Sequence, residues 1–526
     1  MARLHEYQGK KLLKRFKIPV PRGGVARTPG EARQIAEELG GEVMVKAQAW
    51  VTGRAVLGGI KKASNPTQAE EAARHMLGLK VKNFIVEEVL VEQRVDIARE
   101  FYAGVIIDDA AQQPLIIFSS VGGTGIEKIA LAHPDKVARM HVDVGTSLLD
   151  FQARDLVRRT GIGGRLQLKL GGVLMNLFRV AQEYDTRAAE INPLVQLADG
   201  SLVAADCRIT VDDYGVFRHK DLGIEIAREY DRPPTALEKI AYDVEANDYR
   251  GTFYFIQMAE GFHKGEGYIG FHGAGGGGSM MSMDAVLNQG YKLATFVDTS
   301  GNPPASKVYR AARIVLASGP VDGYFGSGSG VASQEQFHSA RGFVKAFLEE
   351  QIEVPVVIRL GGNSEDKAVE ILEWLDGWVP APVEGYKKDD SPDFCADRLH
   401  TLIQEGKRVE PKHRPEPERA GEPRLYPQEL ASLYRFETVT GGTVTFDHSV
   451  CATCETKVCI QECARQILSP NDEGLPVLNI TREEAKRGRC IECLACEVDC
   501  FFQGAGGGKI ELPIPGLNEY LNRTAK

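Results

Sequence analysis

The feature that most restricts the fold of this 526-residue chain is a regular alternation of strand-like and helix-like segments between Tyr268 and Trp374. Short apolar runs, the first at 268–271 and the last at 355–360, alternate with longer segments of helical periodicity. Such an alternation is typical of parallel sheets, because each helix carries the chain back to the edge where the next strand begins. It predicts a doubly wound α/β sheet whose ligands bind at the carboxyl ends of the strands.

Two glycine-rich loops follow strands of this predicted sheet. One runs from His272 to Ser279 and opens onto a helix, and the other runs from Gly326 to Gly330. Glycine lets backbone N–H groups approach an anion closely, and a helix N-terminus adds partial positive charge. The two loops therefore predict a site for a carboxylate substrate.

Composition limits the classes of function. A chain of this length is too long for one core, so about three domains are expected. The net charge of −9 argues against nucleic-acid and membrane-surface partners, which favour a basic face. No apolar run reaches the ~18 residues of a membrane span, and the N-terminus lacks an apolar signal core. We therefore expect a cytoplasmic protein.

The N-terminal half carries charged residues in segments suited to burial. Lys46 lies in the strand-like run 42–47, and a buried lysine is costly unless an anion meets it. The following loop contains Gly53 and Arg54, whose N–H groups could close over phosphates. Glu92 ends one predicted strand and Glu100 begins the next, where they could hold a nucleotide or simply face water.

A β-hairpin is predicted from Ala189 to Asp206, with its turn at Ala198–Gly200. Glu190, Asn192 and Asp206 interrupt its apolar runs, and all three offer oxygen atoms of the kind that Mg²⁺ binds in nucleotide sites. Strand alternation also produces exposed polar residues freely, so the local pattern alone favours an ordinary exposed hairpin.

Several motifs resemble one family in order along the chain. They are LHEYQGKKLL at the N-terminus, VKAQ at Lys46, GR at Gly53 and Arg54, VDIAREFYAG at Glu100, IEK at Glu127 and EINPL at Glu190. Together they resemble the β subunit of ADP-forming succinyl-CoA synthetase over about residues 1–400. The resemblance implies an ATP-grasp nucleotide-binding domain over 1–240 and a flavodoxin-like CoA-ligase domain over 241–405.

The resemblance also implies roles for individual residues. Lys46, Gly53, Arg54, Glu92 and Glu100 would hold ATP. Asn192 and Asp206 would hold Mg²⁺, and Glu190 would position a phosphohistidine. That histidine, and most of the CoA site, would belong to a partner α subunit. Phosphoryl transfer needs mainly positioned cations and charge neutralisation, which these residues supply.

The chain departs from the family at the two glycine-rich loops. The family has Asn-Gly-Ala-Gly in the first loop, where this chain has His272, and Phe-Gly-Gly-Ile-Val in the second, where it has Phe-Gly-Ser-Gly-Ser. We therefore expect a carboxylic acid larger or more polar than succinate, bound by His272, Ser327, Gly328 and Ser329.

The likeness to the ligase family ends at a Pro-rich, charged segment, which we interpret as a linker over 406–440. Eight of the ten cysteines lie beyond it in two runs, at 451, 454, 459 and 463 and at 490, 493, 496 and 500. The second run has the spacing of a bacterial ferredoxin. Residues 441–526 are thus expected to form a small α+β ferredoxin-like domain with a tail.

In two-cluster ferredoxins the last cysteine of each run binds the other cluster. The resemblance therefore implies one [4Fe-4S] cluster on Cys451, Cys454, Cys459 and Cys500, and a second on Cys490, Cys493, Cys496 and Cys463. The alternative is zinc, which would take four-cysteine sites built from paired Cys-x2-Cys.

Three functions remain open at this point. The first is the β subunit of an ADP-forming acid–CoA ligase with an attached electron-transfer module. The second is an electron-transfer subunit that uses its ligase part only to recognise acyl-CoA or nucleotide and delivers electrons to a redox partner. In the third, the clusters only stabilise a ligase.

Overall fold

The computed structural model describes residues 2–51, 54, 57–123, 132–228, 232–328, 330, 332–413 and 433–524. The chain divides into two compact units, residues 1–233 and 234–526. The predicted sites at Gly53 and Ser329 and the motif at Glu127 lie outside the described residues. No helix among the described residues is both long enough and apolar enough to span a membrane.

The first unit contains five described helices and thirteen strands. The helices are α1 (Glu6–Arg15), α2 (Pro29–Leu39), α3 (Pro66–Met76), α4 (Asp150–Arg158) and α5 (Gly164–Glu183). The strands are β1 (Ala2–Arg3), β2 (Gly23–Ala26), β3 (Val43–Ala47), β4 (Ile60–Ala63), β5 (Lys80–Val81), β6 (Phe84–Ile85), β7 (Val89–Gln93), β8 (Ile97–Asp108), β9 (Gln113–Ser119), β10 (Val137–His141), β11 (Thr186–Leu197), β12 (Leu202–Ala204) and β13 (Cys207–Val211).

Two sheets form most of the first unit. A four-stranded antiparallel sheet has the order β2-β7-β3-β4, and α2 and α3 pack on it. The larger sheet has the order β1-β13-β11-β8-β9-β10, with β12 added to β11. The predicted hairpin is confirmed as β11 and β12 with a turn between them, and β11 lies inside the sheet between β13 and β8. An interior strand is held on both edges, so the polar residues of β11 are fixed in position.

Local sequence signals account for several helix boundaries. The helix α2 begins where the Thr28 hydroxyl accepts a hydrogen bond from the backbone N–H of Glu31, with Pro29 at its first position. Asn65 and Pro66 begin α3 in the same way. The run of Val, Ile and Phe residues from Phe84 to Val91 predicts one strand, but the structure has two short strands, β6 and β7, in its place.

The second unit begins with six helices and six strands. The helices are α6 (Ala236–Ala246), α7 (Gly276–Asn288), α8 (Ala305–Leu316), α9 (Phe337–Glu350), α10 (Glu365–Glu373) and α11 (Pro392–Glu405). The strands are β14 (Tyr254–Gln257), β15 (Tyr268–Ala274), β16 (Lys292–Asp298), β17 (Gly323–Gly328), β18 (Val356–Arg359) and β19 (Val383–Tyr386).

These six strands form one sheet of order β14-β16-β15-β17-β18-β19, which we call the ligase sheet. Its last five strands are parallel, which confirms the predicted α/β alternation. The edge strand β14 pairs antiparallel with β16. The sequence of residues 237–261 predicts a helical, partly acidic segment, but the structure also has the strand β14 there, and Phe253 and Phe255 are buried in the core that contains residues of α8.

Residues 433–524, called here the cysteine-rich region, complete the second unit. The strands β20 (Leu433–Glu437), β21 (Thr443–Asp447) and β24 (Gly508–Glu511) form an antiparallel sheet, and β22 (Leu468–Pro470) pairs with β23 (Pro476–Leu478). The helices are α12 (His448–Cys451), α13 (Val458–Gln461), α14 (Arg482–Glu484), α15 (Ala495–Gln503) and α16 (Leu517–Thr524). One apolar core runs without a break from α8 and α9 into this region, where it includes Phe436, Phe446 and Ile510.

Candidate functional site

The hairpin places two predicted magnesium ligands next to each other. Asn192 on β11 donates its backbone N–H to the carbonyl oxygen of Asp206, at 3.1 Å. The amide side chain of Asn192 pairs with the backbone of Gly123, donating at 3.2 Å and accepting at 3.0 Å. The oxygen donors of Asn192 and Asp206 therefore lie at one end of the hairpin, which fits the ligand preference of Mg²⁺.

Three cationic side chains meet beside Asp206. The Arg54 guanidinium donates to both carboxylate oxygens of Asp206, each at 3.1 Å. The ammonium groups of Lys10 and Lys46 both donate to the carbonyl oxygen of Ala205, each at 2.8 Å. Lys46, predicted to be buried with an anion, is 6% exposed.

Two buried carboxylates hold these cations in place. Glu6 on α1 lies 2.8 Å from Lys10, 2.9 Å from Lys46 and 2.7 Å from Arg54. Glu92 on β7 lies 2.6 Å from Lys10 and 2.7 Å from Lys46. Three cations thus face three carboxylates, counting Asp206, and we call these six residues the charge cluster. The equal number of positive and negative charges explains why this many charged side chains are tolerated in a largely buried site.

Electrostatics within the charge cluster follow from burial and mutual contact. Burial opposes the charged form of Glu6, but Lys46, Lys10 and Arg54 outweigh it and hold the pKa of Glu6 well below its usual range. Burial likewise opposes the charge on Lys46, yet Glu6, Glu92 and Asp206 raise its pKa well above normal. Burial, with Glu6 adding to it, raises the pKa of Asp206. Lys46 therefore stays charged at neutral pH, as phosphate binding requires.

The other predicted nucleotide residues lie around this centre. A Cβ atom built on Gly123, whose φ is +104°, would lie 3.2 Å from the Glu100 carboxylate, so Glu100 borders the loop that holds Asn192. Glu190 lies on β11 opposite Gly104 of β8 and Arg208 of β13. The fold thus brings Lys46, Arg54, Asn192 and Asp206 together, with Glu92 and Glu100 nearby.

Sequence reasoning missed two members of the charge cluster, Glu6 and Lys10. Both lie in α1, and the helical spacing of apolar residues from Leu4 to Phe16 predicts this helix without assigning either residue a role. A signal was present, because residues four apart share one face of a helix, and these two lie on the face that carries the buried Leu13 and Gly9. Their partners lie far along the chain, and no local pattern could indicate them.

At the ligase sheet, the predicted acid-binding side chains have internal partners. His272 is 1% exposed, and its Nδ1 lies 2.7 Å from the Tyr324 hydroxyl. Burial lowers the pKa of His272 to about 3, so its ring is neutral. The Ser327 hydroxyl lies 2.7 Å from that of Ser282, and the Gly328 carbonyl oxygen accepts from Arg359 at 3.0 Å. The assignment of these residues to the acid stays a prediction.

The cysteines of the C-terminal runs influence one another in two groups. Burial, together with the neighbouring Cys500, Cys459 and Cys454, raises the pKa of the Cys451 thiol to about 12. Burial also raises the pKa of Cys496, with contributions from Cys493, Cys490, Cys463 and Cys459. These neighbours include the two sets of four implied by the ferredoxin spacing, each of which contains a cysteine from both runs.

A donor set of four thiols per group fits an iron–sulfur cluster. No three or more His, Cys, Asp or Glu side chains in the described ranges are arranged to hold a metal ion. A four-iron cluster holds its thiolates further apart than a single ion does, because the iron and sulfide atoms lie between them. All ten cysteines are free of disulfide bonds.

The chain is similar to known proteins over most of its length. Residues 3–196 match the family model described as "ATP-grasp domain". The chain is 39% identical to the succinate–CoA ligase [GDP-forming] subunit beta of Thermus thermophilus over 386 residues, which cover 73% of this chain and 97% of that protein. It is also 39% identical to the [ADP-forming] subunit beta of Roseiflexus sp., over 70% of this chain and 93% of that one.

A likeness in fold extends to solved structures. The ATP citrate lyase of Methanothrix soehngenii, in complex with citrate and coenzyme A, has a TM-score of 0.63 and 19% sequence identity to this chain. The match covers 77% of this chain and 99% of that one. It supports the α/β multidomain fold.

These comparisons also settle the enzyme class. The relatives match over more than nine-tenths of their own length, so the likeness is to whole β subunits rather than to an isolated nucleotide domain. The predicted class, an ADP-forming acid–thiol ligase, is thereby confirmed. The chain belongs to the family of succinate–CoA ligase β subunits, and its nucleotide site is built on an ATP-grasp domain.

Proposed function

We propose that this chain is the β subunit of an ADP-forming carboxylate–CoA ligase that phosphorylates a histidine on a partner α subunit. The terminal phosphoryl group of ATP passes to the histidine, and ADP leaves. The phosphoryl group then passes to a carboxylate oxygen of the acid, and the CoA thiol displaces phosphate from the acyl phosphate to form the thioester. The observation that carries this proposal is the charge cluster beside Asn192 and Asp206.

Residues in and beside the charge cluster have distinct tasks in this proposal. Lys46 and Arg54 bind the phosphates of ATP and offset the negative charge that develops during transfer. Asn192 and Asp206 hold Mg²⁺, which supplies further charge neutralisation when bound. Glu6 orients the three cations from behind, and Glu190 orients the partner histidine. The finer domain limits, 1–240 and 241–405, belong to the same proposal.

Labelled ATP tests the phosphoryl-transfer step directly. The chain, co-purified with the α subunit, is incubated with ATP labelled in its terminal phosphate and with Mg²⁺. We expect label on an α-subunit histidine with the native chain, and a loss of about a hundredfold or more in rate with Asn192→Ala or Asp206→Ala, because one electrostatic contact at a reacting phosphate contributes that much.

The matched control for these variants is Asp199→Ala. Asp199 lies in the turn of the same hairpin, is exposed and bonds only to Ser201 in the described contacts, so its loss should leave labelling unchanged. Full labelling in Asn192→Ala and Asp206→Ala would overturn the assignment of these two residues.

The acid in this proposal is larger or more polar than succinate. Its support is the pair of altered sequences, at His272 and at Ser327 and Gly328, which lie at the carboxyl ends of β15 and β17. These strands are parallel neighbours in the ligase sheet, so the two altered segments lie side by side at one edge of the sheet.

The cysteine-rich region, in this proposal, holds two [4Fe-4S] clusters and exchanges electrons with a redox partner. Support comes from the two groups of interacting thiols. Electron paramagnetic resonance of the anaerobically purified, dithionite-reduced chain should show reduced clusters, with about eight iron atoms per chain. Serine substitution of Cys493 should remove one cluster signal, whereas serine substitution of Cys395, outside both runs, should not. Stoichiometric zinc in place of iron would contradict the proposal.

A pure electron-transfer role without ligation does not fit the enzyme class of the relatives, so electron transfer is a candidate only as an addition to ligation. Ligation rates are measured with the clusters reduced and then with the clusters oxidised. A difference between the two rates indicates that electron transfer is coupled to ligation. Equal rates, with no reductase in the purified complex, indicate clusters that only stabilise the fold. The cytoplasmic location stays a prediction.

A further inference from the structure

A cavity of about 280 Å³ lies where the cysteine-rich region meets the ligase fold, within the second compact unit. We call it the junction cavity. Arg250, Ala305 and His338 line it from the ligase fold, and Arg465 and Cys493 line it from the cysteine-rich region. None of the residues assigned above to ATP, Mg²⁺ or the acid borders it.

Two helices begin at the junction cavity. Ala305 is the first residue of the 12-residue α8, and His338 lies in the first turn of the 14-residue α9. Neither helix has a side-chain hydrogen bond at its N-cap, and neither has an acidic residue in its first turn. The partial positive charge at both N-termini is therefore not offset by a carboxylate from the helix itself.

Two arginines add full positive charge. The side chains of Arg250 and Arg465 are exposed, and within the part of the chain that the structure describes neither makes an ion pair or hydrogen bond to a side chain. One acid, Glu335, also borders the cavity, but its carboxylate accepts a hydrogen bond from the Ser364 hydroxyl. The cavity is thus cationic on balance.

A buried donor without a partner points to a ligand. His338 is only 9% exposed, and its Nδ1 atom is buried with no hydrogen-bond partner among the described residues. Burial, together with the positive charges of Arg341, Arg250, Lys367 and Arg465, lowers the pKa of His338 to about 4. The imidazole is therefore neutral at pH 7, and one of its nitrogens carries a proton that an anion can accept.

We propose that the junction cavity binds an oxyanion, either a phosphate or a carboxylate group, between Arg250 and Arg465 and beside the imidazole of His338. Two helix N-termini and two arginines supply the positive charge, and the buried histidine supplies a directed hydrogen bond. The anion would bridge the two parts of the second unit, since one arginine comes from each. It would also lie beside Cys493, in one of the two cysteine groups.

Calorimetric titration of the full, iron-loaded chain tests this proposal. Inorganic phosphate and malonate serve as separate probes, in the absence of ATP and of the α subunit. We expect one of the two to bind, and the one that binds identifies the source as phosphate or carboxylate. Arg250→Gln and Arg465→Gln should each raise the dissociation constant of the probe about tenfold, which is the effect of losing one charge-assisted hydrogen bond.

Two controls make the outcome specific to the cavity. Arg487→Gln removes the same charge from an exposed arginine of the cysteine-rich region that pairs with Glu483, and it should bind the probe as the native chain does. Lys46→Gln disables the proposed phosphoryl transfer but should leave this binding unchanged, so the two proposals fail separately. The inference is overturned if neither probe binds, or if Arg250→Gln and Arg465→Gln behave like Arg487→Gln.

Discussion

Among single residues, Glu6 organises the nucleotide site most directly. Its carboxylate touches Lys10, Lys46 and Arg54, and its side chain is 1% exposed. Without it, three buried cations would share only Glu92 and Asp206. A residue that touches neither nucleotide nor partner histidine in our proposal thus sets the position of the groups that do, and it acts as a positioning residue.

We predict that Glu6→Gln lowers the free energy of unfolding by about 3–5 kcal/mol at pH 7, because it leaves buried cations without a partner. Since the folded-state pKa of Glu6 lies below its ordinary value of 4.5, its stabilising effect is complete above that pH and is lost as the pH falls through the folded-state value. The difference between the native chain and Glu6→Gln should therefore shrink below about pH 4.5. Urea unfolding across this pH range measures it.

The control for Glu6→Gln is Glu37→Gln, which removes a carboxylate from an exposed helical pair with Arg33. Exposed pairs contribute little, so a change of at most about 0.5 kcal/mol is expected. A loss of the same small size in Glu6→Gln would show that the charge cluster does not stabilise the fold.

At the level of elements, α9 joins the ligase sheet to the cysteine-rich region. Its Phe343 ring lies 4.8 Å from the His272 ring at the carboxyl end of β15. On another side of the same helix, Arg341 is fully buried and donates to both oxygens of Asp499, at 2.9 and 2.5 Å. Lys345 lies 2.7 Å from Glu497. Asp499 and Glu497 flank proposed cluster ligands on α15. The helix α9 therefore contacts both the carboxyl end of β15 and the helix that carries these cysteines.

Asp499→Asn tests the contribution of this contact. It should lower the free energy of unfolding of the iron-loaded chain by about 3 kcal/mol or more, because Arg341 stays buried with a weaker partner. The double variant Arg341→Met/Asp499→Leu removes both charges and should recover most of the loss. Chemical denaturation measures all three proteins. A double variant that loses more stability than Asp499→Asn would show that the residues do not act as a pair.

Elements with a clear period were predictable, and those fixed by distant partners were not. The alternation from Tyr268 to Trp374 predicted the parallel strands because period and length agree there. The antiparallel edge strand β14 was missed because its four residues are too few to show a period, and pairing with β16 stabilises it. The division of 84–91 into two strands likewise depends on β7 joining β2 and β3, which local sequence does not indicate.

The candidate site shows the same contrast between residues that local patterns indicate and residues that depend on distant partners. Motifs identified Lys46, Arg54, Asn192 and Asp206, and the fold brings these four together. The internal partners of His272, namely Tyr324 and Thr299, were not predictable, because they come from neighbouring strands and loops that only the sheet order sets side by side.

On the scale of the whole molecule, the chain combines an ATP-grasp unit with a second unit in which the ligase sheet and the cysteine-rich region share one apolar core. A shared core couples the stability of the two parts, because neither buries its apolar surface alone. The likeness to whole β subunits accounts for the ATP-grasp part and the ligase sheet, and in our proposal the cysteine-rich region adds electron transfer to the same folded unit.

The most direct test of the ligase assignment measures both products of the reaction. The chain, co-purified with its α subunit, is given ATP, Mg²⁺, CoA and one carboxylic acid at a time, and ADP and acyl-CoA are quantified together. Our account predicts that the two form in equal amounts, and that a larger or more polar acid gives a higher kcat/KM than succinate. Release of ADP without thioester would contradict the ligase assignment, and succinate as the best acid would contradict the proposed substrate class.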